Sequence, residues 1–220
     1  MTTAPPADVT ILDTVCVLNF AAAKELKILL NALKAANCEL FVPQEVYNEA
    51  VNKARANGWD VSQMTAIVKT EGPIKLLQLI GPLSSAIRTL DMLRRRYPLG
   101  SGLAGGGHPD QHLGEYAVMT HGIGARDQGR EVRLGIDDRD ARETAEALNF
   151  ECFTIEDALL MAVAHGLLDT NGVKKTYERL RPFGALPHWD VSDVKSGLAA
   201  AKKEARARKE TAEAAGSNDK

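Results

Sequence analysis

Cysteine is scarce and scattered in this chain. Cys16, Cys38 and Cys152 are its three, far apart and without a CxxC pair, so neither a disulfide framework nor a thiolate zinc site is expected. They read as free structural thiols of a cytoplasmic protein. Long apolar runs are also missing. None approaches the ~18–20 residues of a membrane helix, and no membrane association is expected. The opening residues, MTTAPPADV, have no basic stretch followed by an apolar core, so no secretory signal is expected. Positive charge is not in excess either: 27 Lys and Arg stand against 29 Asp and Glu, a net −2. That excludes a generic coat for polyanions, basic all over, and leaves room for one local basic patch. The segment GSGLAGGG (100–107) is not followed by Lys-Ser or Lys-Thr, so it is not a nucleotide P-loop. There is no internal repeat.

What is present is an ordinary globular composition. Of 220 residues, 45% are apolar and 25% charged, enough for one domain with a buried core and an appendage. After a polar lead-in (1–8), residues 8–12 read as a short buried strand ending before Asp13. Helices are expected over 15–23 and 24–36, and a second strand over 38–42. Pro43 opens a helix that runs to Gly58. A short helix fits SQMTAIVKTEG (62–72). PIKLLQLI (73–80) is apolar enough for either a strand or a helix. A helix over 82–97 carries Arg94, Arg95 and Arg96, and the Gly-rich run then reads as a hinge or loop. Further on, a helix over 110–124, a strand over 131–136, a helix over 138–149 and a strand over 151–153 follow in order. Thr154 is placed to cap the next helix, with Asp157 as the acid of a capping box. That helix (155–166) ends at Gly166, and another spans 170–181. Strands alternating with helices argue an α/β fold with a mostly parallel central sheet. Residues 193–220, with seven positive and five negative charges, read as an exposed helix or a disordered tail.

The informative feature is where the carboxylates fall. Asp13 lies just past the first strand, and Asp137 and Asp138 follow a later one. In parallel α/β sheets ligand sites form at the carboxyl ends of strands. Glu49, one turn beyond Glu45, and Glu115, on a helix whose neighbours Gly114, Ala117 and Val118 are small or apolar, can join them. A buried carboxylate needs a partner, and no matching set of basic residues stands beside these acids in sequence. A hard divalent cation, Mg²⁺ or Mn²⁺, suits carboxylate oxygens, whereas zinc favours His or Cys. Such ions can assist phosphodiester cleavage.

At this point the chain resembles a known family. ILDTVCVLNFA (11–21), ELFVPQEVYNEAV (39–51), HLGEYAVMTHG (112–122), GIDDRDARETAEALNF (135–150) and TIEDALLMAVAHGLL (154–168) are similar, in order and spacing, to the successive motifs of PIN domains. The likeness is to the branch with Leu-Gly-Glu and Ile-Asp-Asp motifs, and it covers about residues 9–185. It implies a three-layer PIN-like α/β domain over 9–190, with a helical, Gly-rich insertion at about 54–107 and a charged tail from 193. It also implies a metal-dependent endoribonuclease of the cytoplasm, with RNA as substrate. A role as the toxin of a type II toxin–antitoxin pair, with a small antitoxin partner, and a homodimer belong to the same implication, and the apolar helices 24–36 and 155–168 could supply its interface. Residue by residue, the family's acids fall on Asp13, Glu49 (the end of a VPxxVxxE pattern), Glu115 and the Asp137–Asp138 pair, with Asp140 a weaker match. Asp13, Glu115, Asp138 and Asp137 are the expected metal ligands. The chain departs from the family at Thr154-Ile155-Glu156, where many relatives have Gly-Thr.

Each residue also has a plainer reading. Asp13 can cap a helix, Glu49 can be a solvated helix residue, and one of Asp137 and Asp138 is expected to cap the helix that follows. Arg94, Arg95 and Arg96 are either a solvated face or a phosphate clamp. His112, three residues before Glu115, either caps the helix or bridges to substrate or metal. Thr154 either caps its helix or orients water and substrate. A catalytically silent PIN-like module that binds RNA or a protein partner is the competing functional reading.

Overall fold

The computed structural model describes residues 8–35, 38–69, 72–78, 80–81, 84–99, 112–184, 196–200 and 203. Six strands, β1 (Asp8–Leu12), β2 (Cys38–Pro43), β3 (Val68–Lys69), β4 (Ile74–Leu77), β5 (Val132–Gly135) and β6 (Glu151–Phe153), form one sheet in the order β3-β4-β2-β1-β5-β6. Every pairing is parallel. Around it lie α1 (Thr14–Ala22), α2 (Leu26–Ala35), α3 (Gln44–Asn57), α4 (Ser62–Ile67), α5 (Ile87–Arg96), α6 (Leu113–Asp127), α7 (Arg139–Ala147), α8 (Ile155–Ala164) and α9 (Thr170–Leu180). The protein is an α/β fold in three layers. Among the described residues no helix is long and apolar enough to cross a membrane.

β1 sits in the middle and is buried along Val9–Leu12, the continuous apolar run that a parallel sheet covered on both faces requires. Val9, Ile11 and Phe41 share the wall of a cavity of about 250 Å³ with Thr120, His121 and Ala125 of α6. Strand alternation therefore turns Thr10 and Leu12 to the opposite face. Gly135 of β5 has no room for a side chain: a Cβ there would stand 2.8 Å from Phe153 Cζ and 2.9 Å from Leu12 Cδ2. Helix ends follow local signals. α3 begins after Pro43 and stops at Gly58, whose φ of +67° is the left-handed conformation of a C-terminal cap.

Four expectations gain detail from the structure. The stretch 54–107 is not simply a helical insertion, because β3 and β4 extend the sheet beyond β2. PIKLLQLI resolves into β4, with Ile74 buried and Lys75 exposed, its Nζ 2.8 Å from Glu39 Oε1 on β2. The two helices proposed as a homodimer surface, α2 and α8, pack against each other within the chain, so Leu29, Leu33, Leu159 and Val163 are already buried in its core. The tail is not wholly solvent-facing: residues 196–200 are helical, Leu198 is buried, and Gly197 lies against Leu160. The Gly-rich run 100–107 and most of 193–220 lie outside the described residues.

Candidate active site

The sheet order fixes where a site belongs. From β1 the chain first builds outward through β2, then returns to lay β5 and β6 on the other side. The direction reverses between β1 and β5, and crevices form outside the carboxyl ends of strands at such a point. Asp13 leaves β1 there, with its N–H donating to the Gly135 carbonyl of β5 (2.9 Å). Asp137 leaves β5 two residues past that glycine.

Asp13 is only 2% exposed. Its Oδ1 accepts from Cys16 N–H (2.7 Å), capping α1, and its Oδ2 accepts from Asp137 N–H (3.0 Å), tying the two strand ends together. Burial outweighs these two bonds and lifts its carboxyl from 3.8 to about 7. Burial, with Asp13, Asp137 and Glu156 nearby, pushes the Cys16 thiol far above its ordinary range. Cys16 is thus an inert core thiol, as its position on the buried face of α1 dictates.

α3 and α6 bring Glu49 and Glu115 to the same edge. Glu49 Oε2 accepts from the buried Thr14 hydroxyl (2.8 Å) and Oε1 pairs with Lys53 Nζ (2.5 Å). Glu49 therefore has a basic partner four residues on in sequence, one lysine and not a set that matches the acids. Gly114 makes room for this arrangement, since a Cβ there would stand 2.7 Å from Glu49 Oε2 and 3.1 Å from Thr14 Oγ1. Glu115 is largely buried. His112, in a left-handed conformation (φ 58°) at the start of α6, holds Nδ1 3.7 Å from Glu115 Oε1, whereas Oε2 is buried without a partner. Burial, and then the charges of Glu49 and Asp138, raise the Glu115 carboxyl above the usual range.

The Asp137–Asp138 pair divides its labour. Asp138 caps α7, its Oδ1 accepting from Ala141 N–H (2.9 Å). Asp137 faces the centre: its Oδ1 accepts from Ile155 N–H (3.2 Å) at the start of α8, and burial raises its carboxyl. Thr154 is the cap of α8, in a complete capping box with Asp157. Its Oγ1 and N–H both bond to Asp157 Oδ2 at 2.9 Å, so its hydroxyl is engaged in the cap. Glu156 is half-buried, with Oε1 buried and unpartnered, and burial, then the Asp137 charge, raise its carboxyl. Asp140 is exposed on α7.

The arginines lie on α5, which packs against α6. Arg94 lies over the Tyr116 ring (5.9 Å) and Arg96 over the Tyr97 ring (5.6 Å). Thr14 and Lys53 are supporting residues that sequence reasoning passed over, and Gly114 entered it only as a small neighbour of Glu115. Lys53 had a legible signal in its i+4 spacing from Glu49, and Thr14 in its place directly after Asp13.

No protein-family model matches the chain, and no curated protein is significantly similar to it. The chemistry of the site therefore rests on its donor set. That set consists of carboxylates, Glu115 and Asp137 raised chiefly by burial, with one unpartnered buried oxygen on Glu115 and another on Glu156, and oxygen donors of this kind suit a hard cation. Among the described residues, no three His, Cys, Asp or Glu side chains already stand together as a metal cluster.

Proposed function

We propose that the chain is an endoribonuclease that hydrolyses RNA phosphodiester bonds with Mg²⁺ or Mn²⁺. The observation that carries the proposal is that Asp13 and Asp137 leave β1 and β5 side by side at the reversal point of a parallel sheet, tied by a hydrogen bond, with Glu115 Oε2 buried without a partner. A buried acceptor in a field of like charge calls for a cation.

Glu115, Asp137, Asp138 and Asp13 would hold the ion, with Glu49 beside them. When bound, it would neutralise phosphate charge and make water more acidic. The chain's own residues do the rest. Asp13 fixes the position of Asp137 by accepting its N–H. Thr14 orients Glu49. Glu115, held above the ordinary Glu range by burial and by the charges of Glu49 and Asp138, would give up its proton on binding the ion. In this reading a small antitoxin is the cognate protein partner, and finding a reading frame for a small DNA-binding protein beside this one would support it.

A second reading has its own observation. Both Asp13 oxygens are committed to backbone N–H groups, as they would be in a silent module whose acids serve the fold. The test is cleavage of structured and single-stranded RNAs with Mg²⁺ or Mn²⁺ by wild type and Asp13→Asn. The nuclease reading expects activity in the wild type and at least a hundredfold loss in the variant. Equal residual activity in both removes the catalytic assignment.

A further inference from the structure

α5 departs from the rest of the chain. Its ten residues contain Arg88, Arg94, Arg95 and Arg96 against Asp91 alone, a net +3 (four minus one), whereas the whole protein is −2. Leu90 and Leu93 turn inward and are buried. Among the described residues, Arg88, Asp91, Met92, Arg95 and Arg96 line an open groove of about 580 Å³. Arg88, Met92 and Arg95 fall four and three residues apart, on one face of the helix.

The plain explanation is that cations at a helix C-terminus offset its dipole. That accounts for the last-turn arginines and fails for two features. Arg88 lies in the first turn, where the dipole disfavours a cation. Met92 is 40% exposed in the middle of the charged face, one of the few large apolar side chains left in water among the described residues. Charge and an apolar platform on one face are what an unpaired nucleotide strand meets: phosphates on arginines, a base on an apolar surface. Arg94, at the C-terminal end of α5, lies 5.9 Å over the Tyr116 ring on α6, so that end of α5 packs beside the first turn of α6, which carries Glu115.

We propose that the outer face of α5 is a track for single-stranded RNA, with Arg88, Arg95 and Arg96 on backbone phosphates and Met92 beneath a base, leading the strand toward Glu115. The track rests on the nuclease reading for its purpose, but its test does not use cleavage. Fluorescence anisotropy of a labelled single-stranded 12-mer RNA is measured with the full chain carrying Asp13→Asn, in EDTA. Replacing Arg88, Arg95 and Arg96 together by Gln is expected to weaken binding at least tenfold at low salt. It should also flatten the slope of log affinity against log salt by about 2, near 0.7 for each phosphate no longer neutralised. Met92→Ala should narrow the preference for single strand over duplex. Arg88→Gln alone should weaken binding two- to threefold and gives the answer if the triple variant is unstable. Unchanged affinity and slope overturn the proposal, as does equal binding of duplex, or tighter binding of polyglutamate than of RNA. Cleavage without these effects overturns the track alone. RNA binding with these effects and no cleavage overturns the nuclease reading alone.

Discussion

At the scale of single residues, Asp13 carries the most consequence. Its carboxyl titrates at about 7 when folded, against 3.8 for the free group. As pH falls from 7 toward 4 the folded state takes up a proton that the unfolded chain does not, so folding gains. As pH rises through 7 that gain disappears. Three units correspond to on the order of 4 kcal/mol. The metal-free protein should therefore melt at higher temperature at pH 5 than at pH 8. Glu115, Asp137 and Glu156 act in the same direction, so the difference between wild type and Asp13→Asn isolates this group: the variant's melting temperature should depend less on pH. An equal dependence in both would remove Asp13 as its source. Gly114→Ala separates support from stability. The new Cβ displaces the Glu49 carboxylate and presses on the Thr14 hydroxyl, while alanine favours the helix by about 1 kcal/mol. The expected result is near-normal melting with cleavage reduced at least tenfold. That Asp13 mattered was legible, because an acid directly after a buried strand in an α/β pattern is placed at the carboxyl edge. The split between Asp137 and Asp138 was not, since both precede a helix and either can cap it. What decides it is that the Ile155 N–H and the Asp13 carboxylate lie beside Asp137, a consequence of strand pairing that no local pattern carries.

Among the elements, α8 tests how far local signals reach. Thr154 and Asp157 were readable as a capping box from their spacing, and they form one. Thr154→Ala should cost about 1 kcal/mol in chemical denaturation. A loss of cleavage much larger than that stability change explains would assign the hydroxyl a role in substrate positioning beyond the cap. β4 shows the limit. PIKLLQLI has no clear period of two or 3.6, so its sequence admits both structures. Pairing decides it: Lys75 can remain in water only on a strand whose opposite face buries Ile74, and Glu39 of β2 supplies its counter-charge. The same holds for α2 and α8. Their apolar stripes were legible, but whether such a stripe meets another helix or another chain depends on the winding of the sheet.

For the molecule as a whole, net charge is a poor guide. The near-neutral total conceals buried acids at the β1–β5 reversal and a basic face on α5. Divalent cations that bind the folded state alone should raise stability by about 2.7 kcal/mol at a hundred times their dissociation constant, several degrees in melting temperature. Scanning calorimetry with Mn²⁺ checks this, and absence of any rise would favour the silent module over the nuclease. The parallel architecture was legible from alternating strands and helices, and the reversal point only once the strand order was known.

Tyr116 has a consequence for the chain's continuity. Its hydroxyl accepts from Leu99 N–H (2.8 Å) and donates to the Tyr97 carbonyl (2.9 Å), and its own N–H donates to the His112 carbonyl (3.1 Å). One tyrosine thus pins both sides of the segment between Leu99 and His112. A cut there leaves two pieces, one bringing β1 to β4 and the other β5 and β6, which meet in the β1–β5 pair and in the packing of α2 on α8 and of α3 and α5 on α6. The acids divide the same way, Asp13 and Glu49 on one piece, Glu115 and Asp137 on the other. A split protein that regains its crevice only when its halves find each other is already drawn into the fold.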